Sequence, residues 1–193
     1  SNELLPLVSH KNAVGIETIL VTLMDIYGGI YFPVEGRDDA EKVKYFIKNA
    51  YDEWGISYVL LVGGRNGGLL QEKWLCPVRY SHCGVSSDWE RRFLSDLYFA
   101  DLYDNQGQFS SWDSNDNGIF GEWTTTGALD SPIDLYPEVA VGRWPCRAAF
   151  ETEIMVEKTI VYENETFGQD WFKTMLCIAG DTYPADLNPE WEG

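Results

Sequence analysis

The acidic stretch over residues 113–122, which reads DSNDNGIFGE, is the sharpest chemical pattern in the sequence. It fits D-x-[DN]-x-[DN]-G, in which alternate residues direct oxygen atoms to one centre and the glycine allows a sharp turn. A hard cation with about six to eight oxygen ligands, above all Ca²⁺, suits such a loop. We expect side-chain ligands from Asp113, Asn115 and Asn117. Ile119 would add its backbone carbonyl oxygen.

Glu122 separates this loop from an EF-hand. The bidentate glutamate of an EF-hand would fall two positions later, at Thr124, and no helix pattern flanks the loop. We therefore predict a calcium loop of another kind, in which Glu122 is a ligand and Asp101 or Asp104 contributes further oxygen. The alternative is an Asx-rich turn that holds no metal.

Thiol chemistry is the second possibility that the residue types raise. His82 and Cys83 are neighbours on a candidate strand, where successive side chains point to opposite faces, so we do not expect them to form a nucleophile and its base. The chain has two histidines, and His10 is expected on a helix surface or as a satisfied core residue. The cysteines form no CxxC pair, which predicts buried thiols, with one disulfide as the alternative. They are Cys76, Cys83, Cys146 and Cys177.

Asp181 directly follows an apolar run over residues 174–179. Ligands of open α/β sheets bind beyond the carboxyl ends of the strands, so a carboxylate there could orient a catalytic histidine or accept a basic ligand. The alternative is an Asx turn or a helix cap. The glycines of residues 63–68 also follow a strand pattern, but they lack GxGxxG and the P-loop lysine, which favours a tight loop over a phosphate site.

Alternating helix and strand patterns must position these residues. Helical spacing covers residues 2–12, a long segment that begins at the cap residue Asp38 and stops at Gly55, and residues 147–163. Apolar runs predict buried strands over residues 16–23, 58–62, 138–142 and 174–179. The alternation implies an α/β fold with a parallel sheet. A long irregular insert, about residues 65–136, interrupts it, with one candidate strand over residues 77–81.

Composition narrows the function further. The 193 residues fit one domain, and 45% are apolar, enough for a core. The formal net charge of −17 argues against nucleic acid or an anionic membrane surface as the partner, because both would be repelled. No apolar run is long enough for a membrane span.

Six segments, taken together and in this order, resemble gingipain-type cysteine peptidases, which form family C25 of the caspase-like clan CD. The resemblance implies a three-layer caspase-like α/β fold, secretion or cell-surface display, and cleavage of peptide bonds by a Cys–His dyad. The segments are GRDDA (36–40), YVLLVGG (58–64), SDLYFADLYD (95–104), the acidic loop with its preceding Trp112, PEVAVGR (137–143) and EKTIVYE (157–163).

The resemblance also implies that this chain is an amino-terminal subdomain over residues 1–193. The catalytic histidine of the family follows a later strand, in a His-Gly pair, and its cysteine follows one still further on. We therefore expect the chain alone to be inactive and to need the remainder of the peptidase chain, or a partner chain, which would supply the dyad. A peptide or protein would be the substrate of the full enzyme.

Three positions gain an expected role from the resemblance. Asp181 looks like the carboxylate that assists the catalytic histidine, and Glu190 or Glu192 lies where some relatives place an acid for a basic P1 side chain. The acidic loop resembles a calcium loop found in many family members. A non-catalytic, calcium-stabilised surface module for adhesion or assembly remains the alternative. A nucleotide-binding α/β protein is disfavoured by the acidic charge and the absent glycine fingerprint.

Overall fold

A computed structural model describes residues 2–68, 71–84 and 92–177 of the chain. A 3₁₀ turn (Asn2–Leu4) leads into the first helix, and a second 3₁₀ turn (Asp170–Lys173) follows the last one. The α-helices in between are α1 (Leu5–Ala13), α2 (Leu23–Tyr27), α3 (Asp39–Trp54), α4 (Leu97–Ala100) and α5 (Ala149–Glu165).

The strands of these described ranges form two separate sheets. One is a parallel pair of β1 (Tyr58–Val62) and β6 (Ala140–Trp144), with Tyr58 opposite Ala140. The other is four-stranded, in the order β3-β2-β4-β5, with β2 and β4 parallel and both outer pairs antiparallel. Its strands are β2 (Tyr80–Cys83), β3 (Arg92–Leu94), β4 (Phe120–Thr124) and β5 (Gly127–Ala128).

These elements confirm the α/β class and the parallel pairing of the two strands at 58–62 and 138–142. The insert is more regular than its composition indicates, because the four-stranded sheet lies wholly within residues 65–136. The candidate strand over residues 77–81 begins later, at Tyr80.

The strand predicted over residues 16–23 is wrong. Residues 16–22 pair with no strand, and α2 begins at Leu23. Thr22 and Asp25 form a capping box there: the Thr22 hydroxyl accepts from the Asp25 amide at 3.2 Å, and Asp25 Oδ2 accepts from the Thr22 amide at 2.9 Å. A β-branched apolar run becomes a strand only where a neighbouring strand offers a ladder, and no strand in the described part of the chain does so for this one.

Helix α3 matches its prediction at both ends. The Asp38 carboxylate accepts from the Glu41 amide at 2.9 Å, and Gly55 ends the helix in a left-handed conformation (φ 67°). Its buried face joins a core built with α4, the following Leu102, and both sheets. The most deeply buried members are Val43, Ile47, Tyr98, Phe99, Leu102 and Val139.

Helix α5 buries less than its spacing predicts. Val156 is buried, whereas Phe150 is 60% exposed, and Ile154 and Val161 are also exposed. Helix α1 packs on α5, and His10 there contacts Glu163 at 2.9 Å with its side chain 11% exposed, which agrees with a satisfied histidine. These exposed apolar side chains of α5 thus lack a covering element in the described part of the chain.

The last predicted strand, over residues 174–179, is not formed as far as the structure describes it. Residues 174–177 pair with no strand, and residues 178 and 179 lie outside the described ranges. Within those ranges, no helix combines the length and apolarity that crossing a bilayer requires.

Candidate functional site

The acidic loop follows Trp112 and leads into β4, and its backbone winds around the side-chain oxygens that were predicted as ligands. Asp113 Oδ1 accepts a hydrogen bond from the Asn117 amide at 2.9 Å. Asn115 Oδ1 accepts from the same amide at 3.1 Å, and Asn117 Oδ1 accepts from the Ile119 amide at 2.7 Å. The bonds accepted by Asn115 and Asn117 are Asx turns, and together with the Asp113 bond they fix the side-chain oxygens before any ligand arrives.

Two left-handed residues close the loop, Asp116 at φ 56° and Gly118 at φ 78°. Aspartate tolerates this conformation and glycine adopts it freely, so the pattern supplies the two residue types that the turn requires. The turn returns the chain to Glu122, whose Oε2 accepts from Asn117 Nδ2 at 3.0 Å. One hydrogen-bonded loop therefore holds five of the residues predicted as ligands: Asp113, Asn115, Asn117, Ile119 and Glu122.

Arg37 forms ion pairs with two carboxylates of the acidic loop. Its Nη1 donates to Asp113 Oδ2 and to Asp116 Oδ1, both at 2.7 Å. Its Nε and Nη2 donate to the Glu41 carboxylate at 2.8 to 3.1 Å. The hydrogen bonds to Glu41 raise the pKa of Arg37, with smaller contributions from Asp113 and Asp116. Asp113 Oδ2 also accepts from the Gly118 amide at 3.2 Å, so both oxygens of this carboxylate take part in the loop.

An open cleft of about 540 Å³ lies beside this guanidinium. Glu35, Tyr45 and Ser111 line it together with the Arg37 cluster. The carboxylates outnumber the guanidinium, because Glu41, Asp113 and Asp116 all contact the one Arg37. A cation entering the cleft would therefore meet a negative field.

Asp130 is a loop residue that sequence reasoning missed. Its Oδ1 accepts from the Ser114 amide at 2.9 Å, and its Oδ2 accepts from the Glu122 amide at 2.8 Å, so it ties the two ends of the acidic loop together. It is 2% exposed. No local spacing signals this role, because the contact spans sixteen residues of chain.

Asp101 and Asp104, the two further ligands proposed from the sequence, have other partners. The buried Asp101 accepts from Ser110 Oγ at 2.9 Å and from the Trp112 indole nitrogen. Asp104 Oδ1 accepts from the amides of Gln106 and Gln108 and caps its own turn. Both carboxylates are used to shape the chain before the loop, so they are not grouped with the loop oxygens.

Lys44 lies fully buried next to Asp101. Its ammonium donates to the Ser110 carbonyl and lies 4.2 Å from the centre of the Tyr98 ring and 5.8 Å from that of Trp112. Burial lowers the pKa of Lys44 to about 7, against the opposing field of Asp101. Burial likewise raises the pKa of Asp101, although its hydrogen bonds oppose this.

Two arginines fasten the insert to the rest of the fold. Arg143 on β6 donates to both carboxylate oxygens of Asp96, at 2.7 and 2.9 Å. Arg79 does the same to Asp38, at 2.8 and 2.7 Å, and its guanidinium lies 3.6 Å from the centre of the Phe120 ring. Bidentate pairs of this kind fix orientation as well as distance.

Histidine and cysteine do not combine into a nucleophilic pair within the described ranges. His82 and Cys83 follow each other on β2, opposite Arg92 and Trp123 respectively. All four cysteines are free thiols, so the disulfide alternative is not realised. Cys76 and Cys146 are buried as predicted, whereas Cys177 is exposed.

Gly63 and Gly64 form the tight loop that the sequence predicts. A Cβ on Gly64 would meet the Pro145 carbonyl oxygen at 2.1 Å, and one on Gly63 would meet the Cys76 amide nitrogen at 2.7 Å. The glycines therefore serve close backbone approach at the carboxyl end of β1. Asp181, Glu190 and Glu192 lie outside the described residues.

The donor set of the acidic loop fits a hard cation of the calcium type. No three His, Cys, Asp or Glu side chains in the described ranges are grouped to hold a metal. The loop instead offers the two carboxylates of Asp113 and Glu122 with the amide oxygens of Asn115 and Asn117, and calcium accepts such neutral oxygen ligands.

Comparison with known proteins gives one finding that spans the chain. The family model described as Peptidase family C25 matches residues 1–192. The matched range includes both sheets, the five helices and the acidic loop. No curated protein and no solved structure matches the chain significantly.

Proposed function

Because this chain belongs to peptidase family C25, we propose that it is the amino-terminal portion of a secreted, gingipain-like cysteine endopeptidase. Membership confirms the resemblance drawn from the sequence. In the proposed enzyme these residues form the scaffold of the catalytic domain, and a histidine and a cysteine from outside the 193 residues act on the peptide bond. The match over residues 1–192 is the observation that carries this proposal.

The positions of histidine and cysteine support a scaffold role. His10 is engaged with Glu163, and His82 shares a strand with its neighbour Cys83. A dyad requires a thiol within hydrogen-bond reach of an imidazole, so that the thiolate can attack the carbonyl carbon and the imidazole can carry the proton to the leaving amine. No such pair occurs among the residues that the structure describes.

The parallel strands explain what the scaffold would contribute. β1 and β6 run in the same direction, so their carboxyl ends meet at one edge, and ligands of such sheets bind beyond that edge. Arg143 and Asp96 brace the insert against this edge. In the proposed enzyme Asp181 assists the catalytic histidine, and Glu190 or Glu192 faces a basic P1 side chain.

The test compares this chain with a version extended downstream by its natural sequence. We expect the 193-residue chain to release no product from a mixed set of fluorogenic peptides. The extended chain should cleave them and lose that activity to iodoacetamide. Thiol-dependent cleavage by the short chain, abolished by Cys83→Ala, would contradict the proposal.

We further propose that the acidic loop binds Ca²⁺ through Asp113, Asn115, Asn117, the Ile119 carbonyl and Glu122. The support is the loop geometry, since its Asx turns hold the oxygens in place and the surrounding charge is negative. The ion would stiffen the connection between Trp112 and β4, and through it the insert. It would take no part in peptide cleavage.

A chelator tests this proposal, with two loop variants as a matched pair. EGTA should lower the melting temperature of the wild type, and Asp113→Ala should remove that response. Asp116→Asn is the control, because it also loses the ion pair to Arg37 but keeps a residue type that tolerates the left-handed backbone and leaves the Asx turns intact, so it should stay sensitive. If EGTA does not change the melting temperature of the wild type, the loop holds no calcium and is an Asx-rich turn stabilised by Arg37.

A non-catalytic surface or assembly module, stabilised by calcium, is the second candidate. The hydrogen-bonded acidic loop favours it, because such a loop serves stability whether or not a dyad exists. The two candidates share an extracellular or cell-surface location and differ downstream of Gly193. A His-Gly and a later cysteine, each after an apolar strand, support the peptidase, and their absence supports the module.

A further inference from the structure

A second cleft, of about 500 Å³, lies between the segment after α2 and the carboxyl-terminal half of α3. Phe32, Pro33 and Glu35 line one side, and Asn49, Glu53 and Trp54 line the other. Neither the acidic loop nor the proposed peptidase role uses this cleft. Its lining combines aromatic rings with carboxylates, and both kinds of group attract positive charge.

Four aromatic rings form a connected cluster at this cleft. Phe32 lies 4.8 Å from Trp54, centre to centre, and 5.3 Å from Phe46. Tyr31 meets Trp54 edge-on at 5.6 Å. Phe32 and Trp54 are the two rings of the cluster that line the cleft, and Trp54 is 41% exposed, so its ring is open to a ligand. The neighbouring contacts hold these rings in place, which lowers the entropy lost when a ligand stacks on them.

The charges around the rings are negative and uncompensated. Glu35 and Glu53 form no ion pair or hydrogen bond with any residue in the described ranges. The sixteen-residue helix α3 also ends here, and its last turn carries no basic residue to offset the negative end of the helix dipole. Rings, carboxylates and dipole therefore all attract positive charge.

We propose that this cleft binds a positively charged side chain, lysine or arginine, presented by a peptide or protein segment. The cationic head would lie over the Trp54 and Phe32 rings, with Glu35 and Glu53 as its counter-ions. An anionic ligand would be repelled. A neutral ligand would leave both carboxylates partly desolvated without a partner, which is costly.

Short capped peptides test the proposal by isothermal titration. The probes are acetyl-Gly-Arg-Gly-amide, its lysine counterpart, and a norleucine counterpart that has the same length but no charge. The two basic peptides should bind the wild type saturably and the norleucine peptide should not. Glu35→Gln with Glu53→Gln should weaken binding about tenfold, since both counter-ions are lost. Trp54→Leu should weaken it about fivefold by removing the ring.

Glu153→Gln with Glu157→Gln is the matched control. It removes the same charge from the exposed face of α5, so binding should stay within about twofold of the wild type. Circular dichroism checks that each variant is folded. Equal losses in both double variants would mean non-selective attraction to an acidic protein and would overturn the proposal. So would binding of the norleucine peptide, or no saturable binding by the wild type. None of these outcomes depends on peptidase activity.

Discussion

The Arg37 guanidinium contacts three carboxylates, and two of them, on Glu41 and Asp113, belong to side chains that are 4% and 0% exposed. Arginine suits this position because its planar fork can serve several carboxylates at fixed angles. At the residue scale, then, Arg37 holds the start of α3 and the acidic loop together. Sequence reasoning assigned it no role, because its partners Asp113 and Asp116 lie far along the chain.

Replacing Arg37 by Gln should lower the free energy of unfolding by about 2 kcal/mol, because two buried carboxylates lose their cation. The loss stays below that of a fully buried pair, since the Arg37 side chain is 42% exposed. Urea denaturation measures it. Lys42→Gln is the control: Lys42 pairs with Asp39 at the surface, and its loss should cost less than about 0.5 kcal/mol. Equal effects would refute the bridging role.

Asp38 gives the stability a defined dependence on pH. Burial opposes its ionisation, but hydrogen bonds from Arg79 and the Glu41 amide outweigh burial and lower the pKa of Asp38. A carboxyl whose pKa is lower in the folded state stabilises that state above its unfolded pKa of about 3.9, and the gain disappears as the pH falls through the folded pKa.

Asp38→Asn should therefore be less stable than the wild type at about pH 7, and the two should converge towards about pH 2. Urea denaturation at a series of pH values measures the difference. The exposed neighbour Asp39 supplies the control variant, Asp39→Asn, whose difference from the wild type should be small throughout. A constant gap between Asp38→Asn and the wild type would mean that only packing is lost.

At the element scale, local signals account for α3 and tertiary partners account for the failures. Asp38 and Gly55 mark the ends of α3 in the sequence itself, and the apolar spacing marks its buried face. Residues 16–22 carry an equally clear strand pattern, but a strand also requires a neighbour. The sheet of the insert was not predicted because its strands are short and its central pair joins distant residues, with Ser81 opposite Phe120.

The residues of the candidate site also divide into those that local sequence predicts and those that distant partners position. The loop pattern predicted that Asp113, Asn115, Asn117, Ile119 and Glu122 lie together, and they share one hydrogen-bonded loop because they are close in sequence. It also named Asp101 and Asp104, and their hydrogen-bond partners Ser110, Trp112, Gln106 and Gln108 could not be predicted from composition. Asp130 and Arg37 were missed since each reaches the loop from a distant part of the chain.

Gly64, directly after β1, packs closely against the segment that follows β6, and a substitution can test this contact. Its amide donates to the Cys146 carbonyl at 2.8 Å, and an added methyl group would collide with the backbone of Pro145. Gly64→Ala should therefore lower the melting temperature markedly, with a cost of about 1–3 kcal/mol. Gly142→Ala on β6 is the control, because nothing lies within 4 Å of the added methyl. A tolerated Gly64→Ala would show that this approach is not required.

At the scale of the whole molecule, exposed apolar side chains favour association with other chains, whereas the net charge opposes association between copies. Tyr58 on β1 is 76% exposed and Phe150 on α5 is 60% exposed, and Ile16 and Ile19 of the unpaired segment are also exposed. Apolar patches of this kind commonly mark surfaces that other chains cover. The net charge of −17 holds copies of the chain apart in solution.

Salt should therefore reveal the apolar surface. The isolated chain should be monomeric at about 0.05 M salt and should associate reversibly at about 0.5 M, where charge repulsion is screened. Light scattering after size-exclusion chromatography measures the change. A control variant, Tyr58→Lys with Phe150→Glu, keeps the charge of the chain and should associate less. A chain that stays monomeric in both salts and melts cooperatively at high temperature would show that its exposed faces need no cover.

Glu35 belongs to both clefts, the one beside Arg37 and the one beside Trp54. Glu35 would attract a cation at either site. Calcium bound in the acidic loop would therefore lower the affinity of the aromatic cleft for a basic side chain, and by reciprocity the bound peptide would lower the affinity for calcium by the same factor. Titrating the arginine peptide with and without calcium measures that factor, and Glu35→Gln should reduce it. The fold would then favour one occupant at a time, so that the calcium concentration would set how readily the aromatic cleft engages a partner.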